Sequence, residues 1–173
     1  MTVRASRLLG AERVIAARRN QEVLQALGAD AAIDLRLPAA ELKQAFAREI
    51  GRALQVAVDF ICGPVTEALI ETLAQSDLTA AAAASDLRAV EVGSMAGATI
   101  ALPGGSLRGA RLTILGSAAG NFPPPERMRA IIDDVLARAA KGEIAVETAI
   151  RPLSAVADAW AAPDDGRRVV LTV

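Results

Sequence analysis

The stretch RVIAARRNQEVLQALGADAAIDL, Arg13–Leu35, decides the fold. RVIAA, Arg13–Ala17, is a short apolar run of the kind that makes a buried strand. Asn20 can cap the helix that follows it, QEVLQAL, because its side-chain oxygen can accept an otherwise free first-turn amide. Gly28 closes that helix, since glycine enters the left-handed conformation without a Cβ penalty. AAIDL, Ala31–Leu35, is a second apolar run. Strand, helix and strand in that order are a βαβ unit, and βαβ units predict a parallel sheet.

The alternation continues outward in both directions. Upstream, Val3, Leu8 and Leu9 suggest a helix ending at Gly10. Downstream, Leu42, Ala45, Phe46 and Ile50 recur at helical spacing and stop at Gly51. QVAVDFICG, Gln55–Gly63, reads as another buried strand, and Val65, Leu69 and Leu73 mark one face of the next helix. RAVEVG, Arg88–Gly93, and LTILGS, Leu112–Ser117, read as two more strands. Between them a loop bearing Gly and Pro runs from Ser94 to about Arg111. Met128, Ile131, Ile132, Val135, Leu136 and Ala139 form a continuous helical stripe, with prolines before it and Gly142 after it. The last residues, VETAIRPLSAVADAWAAPDDGRRVVLTV, predict a short strand, a short helix around Trp160 and a final strand, Arg168–Val173.

Composition narrows the class. A chain of 173 residues has the length of one ordinary domain and can bury a real core. With 53% apolar but only 2% aromatic residues, that core is built from Ala, Val, Leu and Ile, which suits α/β layers better than a β-sandwich. A net charge of −1 supplies no field to attract nucleic acid or anionic lipid. The single cysteine, Cys62, cannot form an internal disulfide, and without histidine the chain offers no His metal ligand or general base. The first ten residues carry two arginines and no sustained apolar run, unlike a signal peptide. The run Ala80–Ala84 is far too short to span a bilayer. A cytoplasmic protein without membrane or nucleic-acid partners is the expectation.

The order of these phrases resembles the medium-chain dehydrogenase/reductase superfamily, among its quinone-oxidoreductase-like and alcohol-dehydrogenase-like members. LLGAERVIAARRN with ALGADAAIDL is similar to the family's second strand, helix and third strand, and VDFICGP to its fourth strand. RAVEVGSMAG resembles strand five, LTILGS strand six, and the segment from Arg151 to Val173 the return to the catalytic domain. The resemblance implies an α/β fold: an incomplete Rossmann-type doubly wound parallel sheet lacking its first strand, with a C-terminal segment that would return to a GroES-like domain. Residues 1–150 would be a partial nucleotide-binding domain and residues 151–173 the returning segment. A full-length member has the GroES-like domain first, then a strand ending in a glycine-rich turn that admits the pyrophosphate. Met1 would fall inside the helix after that turn, so the chain is expected to be truncated. The family's zinc ligands, where present, belong to the absent region, so this chain is expected to hold no zinc.

The resemblance also places a nucleotide. Arg18, Arg19 and Asn20 end the second strand of the family's sheet, which faces the adenosine ribose. Arginine there accommodates the extra phosphate of NADP(H), and guanidinium groups give phosphate planar, charge-assisted hydrogen bonds. A solvated basic turn with Asn20 merely capping its helix is the alternative. Phe60 and Cys62 end strand four, and Val92, Gly93 and Ser94 would pass the nicotinamide ribose. Leu115, Gly116 and Ser117 would lie near the nicotinamide. Gly93 and Gly116 are equally explained as tight-turn residues. Gly104-Gly105-Ser106-Leu107-Arg108-Gly109 lacks the Lys-Ser or Lys-Thr of a phosphate loop, and its glycines read as turn residues.

Cys62, in an apolar run, reads as a buried inert thiol, and Asp59 as a hydrogen-bonded structural carboxylate. Asp133 with Asp134, and Asp164 with Asp165, read as solvated. No catalytic residue is assigned. The leading reading is a truncated member of an NADP(H)-dependent oxidoreductase family acting on alcohols, ketones or quinones, inactive as this chain alone. The alternatives are a non-catalytic association module, a homodimer through strand Leu112–Ser117, or a gene fragment without a role.

Overall fold

The fold is that of a computed structural model, which describes residues 2–75, 86–163 and 167–173. Ala80–Ala84 and the pair Asp164–Asp165 lie outside the described residues. Two compact units are distinguished, residues 15–124 and residues 1–14 with 125–173.

In the larger unit, β1 (Ile15–Arg18), α2 (Gln21–Ala26) and β2 (Ala31–Asp34) form the βαβ unit read from the sequence, with α1 (Thr2–Leu8) preceding them in the smaller unit. Then follow α3 (Ala39–Ile50), β3 (Val56–Asp59), α4 (Pro64–Gln75), β4 (Leu87–Glu91), α5 (Gly104–Gly109) and β5 (Leu112–Gly116). β1 pairs with β2 in parallel, from Ile15↔Ala31 to Arg18↔Asp34. β3, β4 and β5 form a second parallel sheet, with Asp59↔Glu91 and Glu91↔Gly116 in register at its C-terminal ends. Among the described residues β5 is the last strand of that sheet. Among the described residues no strand pairing joins the two sheets.

A shared core holds both sheets against α3 and α4. Ile33 from β2, Leu42, Ala45, Phe46 and Ile50 from α3, Ala68 and Leu73 from α4 and Leu87 from β4 make one buried cluster. Ile15 and Ala57 pack against it from β1 and β3. Every apolar position read as the face of α3 is therefore buried. A side chain as enclosed as Ile50 or Leu87 contributes roughly 1.5–3 kcal/mol by leaving water.

Three expectations are corrected. β3 is not a buried strand: Val56 and Val58 are 49% and 44% exposed, while the alternate Ala57 reaches the core. Side chains alternate across a strand, and only one face of β3 meets the helices. In β1, likewise, Ala16 is buried but Ala17 and Arg18 are exposed. The segment from Ser94 to Arg111 is not loop throughout, for Gly104–Gly109 is helical rather than a set of turns. Pro103, with φ −61°, leads into that helix, and Ser106 is buried. Local turn propensity yields there to packing against α4.

In the smaller unit, α6 (Pro125–Ala140) covers the stripe from Met128 to Ala139, yet none of its residues is buried. β6 (Thr148–Pro152) pairs in parallel with β7 (Arg168–Thr172), and α7 (Val156–Ala161) lies between them in sequence. The strand–helix–strand order read from the last residues is thus present. No helix among the described residues is long and apolar enough to cross a membrane.

Candidate functional site

The C-terminal ends of β3, β4 and β5 converge because the strands are parallel and in register. The Val92 amide donates to the Asp59 carbonyl at 2.7 Å, and the Ser117 amide donates to the Glu91 carbonyl at 2.8 Å. These bonds bring Phe60, Cys62, Val92, Gly93, Ser94, Leu115, Gly116 and Ser117 to one end of one sheet. Phe60, Val92 and Leu115 stand exposed there, whereas Cys62 is buried.

Asp59 organises the turn after β3. One carboxylate oxygen accepts from the amides of Ile61 at 2.9 Å and Cys62 at 3.1 Å, and the other accepts from the Thr66 hydroxyl. The expected hydrogen-bonded structural carboxylate is therefore observed. Its grip matters because Cys62 has φ 55° and Gly63 φ 68°, two consecutive residues in the left-handed region. A non-glycine residue there costs roughly 1–2 kcal/mol. The Ala96 amide donates to the Ile61 carbonyl at 2.7 Å and ties this turn to the segment after β4. On β5 the Asn121 side chain performs the same service, accepting from the Ala118 amide and donating to the Gly116 carbonyl.

The end of β1 belongs to the other sheet. Asn20 caps α2 as expected, accepting from the Val23 amide at 3.2 Å. Arg18 and Arg19 are both exposed, and among the described residues neither guanidinium is engaged in a hydrogen bond or ion pair. The carboxylate in register with Arg18, Asp34, is already committed. It accepts from the Arg36 amide at 2.9 Å, from both Nε and Nη2 of Arg36, and from Gln21 at 2.6 Å. The hydrogen bonds from Arg36, led by its side chain, hold Asp34 well below the usual carboxylate range. Two uncompensated guanidinium groups at a strand end can take a phosphate.

Sequence reading missed Asp34, Gln21, Glu91, Thr66 and Asn121. A signal did exist for part of this: an Asp at a strand end, followed by a tight turn, commonly accepts the amides two and three residues on. Nothing local announces the partners Thr66 and Glu91, which meet Asp59 only through the fold. Among the described residues no three His, Cys, Asp or Glu side chains gather as a metal-binding group.

No family model matches the chain, and no curated protein matches it. Solved structures do. The chain is 25% identical to AibC over 99% of its own length and 48% of that chain, with a TM-score of 0.71. A putative NADPH:quinone reductase from Mesorhizobium loti matches at 19% identity over 99% of this chain and 48% of that one, again at 0.71. CurA from Vibrio vulnificus, solved in complex with NADPH, matches at 18% identity over 100% of this chain and 52% of its own, at 0.67. The chain spans about half the length of these structures.

Proposed function

We propose, for a chain that has the Rossmann-like fold of medium-chain dehydrogenase/reductase structures, that it is nucleotide-binding sequence of an NADP(H)-dependent oxidoreductase. The observation that carries this reading is the pair Arg18–Arg19 at the end of β1, exposed and without partners among the described residues, beside an Asp34 consumed by Arg36. The NADPH held by CurA and the NADPH named for the Mesorhizobium loti reductase support the same cofactor here.

In this reading the two guanidinium groups bind the adenosine phosphate through charge-assisted hydrogen bonds. The ends of β3, β4 and β5, from Phe60 to Ser117, pass the nicotinamide and its ribose and keep water from it. The cofactor, when bound, supplies hydride for an alcohol, ketone or quinone. The chain's own residues orient the cofactor, and none is assigned a proton transfer. The free edge of β5 fits self-pairing with a second copy.

The coding DNA upstream of Met1 tests this. An in-frame stretch encoding an apolar strand and G-x-G-x-x-G, whose extended product binds NADPH in preference to NADH, is the expected result. No such stretch, with no saturable nucleotide binding by the 173 residues, overturns the reading, as does an extended product that binds neither nucleotide.

A further inference from the structure

Two acidic residues stand side by side, half-buried, at the ends of neighbouring strands. Asp59 and Glu91 are register partners on the adjacent parallel strands β3 and β4. Neighbouring strands lie about 4.8 Å apart, and registered side chains share a face. Both residues line a cavity of about 160 Å³ with Cys62, Thr66, Ile70 and Ile114. The groups facing Glu91 can be named element by element. β3 brings Asp59, the turn after it Cys62, and α4 Thr66 and Ile70. The segment after β4 brings Ala98, Thr99 and Ile100, and β5 brings Ile114. Among the described residues the titratable members are Asp59, Glu91 and the Cys62 thiol, and no Lys or Arg lines the cavity.

Asp59 already accepts from two amides and a hydroxyl, so a proton shared by the pair belongs on Glu91. We propose that Glu91 and Asp59 form a proton-sharing clasp across the ends of β3 and β4, closed while Glu91 is protonated and loosened as pH rises. The clasp bears on the candidate site through the backbone. Asp59 holds the left-handed turn at Cys62, its carbonyl accepts from Val92 and Gly93, and the Glu91 carbonyl accepts from Ser117. The inference concerns this cluster alone and stands whether or not a nucleotide binds.

Burial, then the Asp59 charge and the hydrogen bond with Asp59, push Glu91 above its ordinary value, against a smaller pull from the Gly93 amide. An unfolded Glu loses its proton near about pH 4.3. Above that pH the folded chain binds the extra proton, so stability falls as pH rises, until folded Glu91 also ionises. The contribution is fully present below the unfolded value and lost as pH passes through the folded one.

The test is urea unfolding of the 173-residue chain from about pH 5 to about pH 9, for the parent, Glu91→Gln and Asp59→Asn. Gln donates an amide proton to Asp59 at every pH, and Asn removes the like charge. Relative to Glu91→Gln, the parent's folding constant should fall by as much as about tenfold per pH unit above the ordinary Glu range. The Asp59→Asn profile should be shallower than the parent's, which keeps the test decisive if Glu91→Gln does not fold. The Ile61 and Cys62 amides, which donate to Asp59, are the second readout: their hydrogen exchange, corrected for its intrinsic pH dependence, should speed up from about pH 5 to about pH 9 in the parent and not in Glu91→Gln. Parallel pH profiles for parent and variants, or the same pH dependence of exchange in the parent and in Glu91→Gln, would overturn the clasp.

Discussion

The Cβ that Gly93 lacks would sit 2.9 Å from the carbonyl oxygen of Phe60. The end of β4 thus lies directly on the backbone leaving β3, and glycine is required there by contact rather than by a left-handed angle. Gly93→Ala must part the two strand ends, and overpacking of this kind costs about 1–3 kcal/mol. Gly105 is the control, because a Cβ there meets nothing within 4 Å and the residue sits in α5. Gly105→Ala should stabilise by roughly 0.5–1 kcal/mol, the helix preference of Ala over Gly. Urea midpoints of both variants decide the matter, and a Gly93→Ala chain as stable as the parent would remove the close approach from the account.

Arg19→Ala should weaken NADPH more than NADH in any form of the protein that binds them. A lost charged hydrogen bond to the phosphate costs about 1.5–3 kcal/mol, so the NADPH-to-NADH preference should drop by roughly 10–100-fold. Asp34 cannot take the blame for a null result, since its carboxylate is satisfied by Arg36 and Gln21. An unchanged ratio of the two affinities excludes Arg19 from the phosphate site.

How much of this was legible in the sequence follows from what each feature depends on. The strand at Ala31 and the cap at Asn20 rest on residues within a few positions of one another, so local pattern sufficed for both. Burial was legible in α3, where an apolar stripe at helical spacing meets one covered face, whereas the similar stripe of α6 has no buried residue. In β3 an unbroken apolar run concealed an exposed side, because runs of valine and alanine read alike whether one face or two are covered. Asp59 announced its own role through the turn beside it, but Glu91 became its partner only when β3 and β4 came into register. Asp34 and Arg36 are two residues apart and readable in principle. Their pairing depends on the tight turn after β2, which folds the Arg36 amide and guanidinium back onto the Asp34 carboxylate.

Self-association through β5 can be tested at one atom. The Ser117 amide points to β4. Backbone direction alternates along a strand, so the amides of Thr113 and Leu115 point to β4 as well and that of Ile114 faces the open edge. Ile114→Pro therefore removes an edge donor while sparing the bonds within the sheet. If the parent elutes as a dimer, the variant should elute as a monomer with an unchanged far-ultraviolet spectrum. A variant that remains dimeric places the interface elsewhere.

The 173 residues by themselves should show no dehydrogenase turnover. The sequence contains no G-x-G-x-x-G, the turn whose backbone would approach a pyrophosphate. The candidate site is also divided, with Arg18 and Arg19 at the end of the β1–β2 sheet and Phe60 to Ser117 at the end of the β3–β4–β5 sheet. One strand set between two others spans about 10 Å, and among the described residues nothing pairs with the outer edges of β1 and β3. A nucleotide gripped by two guanidinium groups alone is held at one end, and a few ångströms of freedom at the nicotinamide end remove the alignment that hydride transfer needs. The two open edges add a second expectation, concentration-dependent aggregation on warming, because unpaired strands recruit one another. NADPH oxidation with several quinones and aldehydes, alongside fluorescence titration of NADPH, supplies the measurement. Turnover above the blank, or saturable binding in the micromolar range, would mean that the divided sheet assembles a complete site, with the pyrophosphate held by backbone other than a glycine-rich turn.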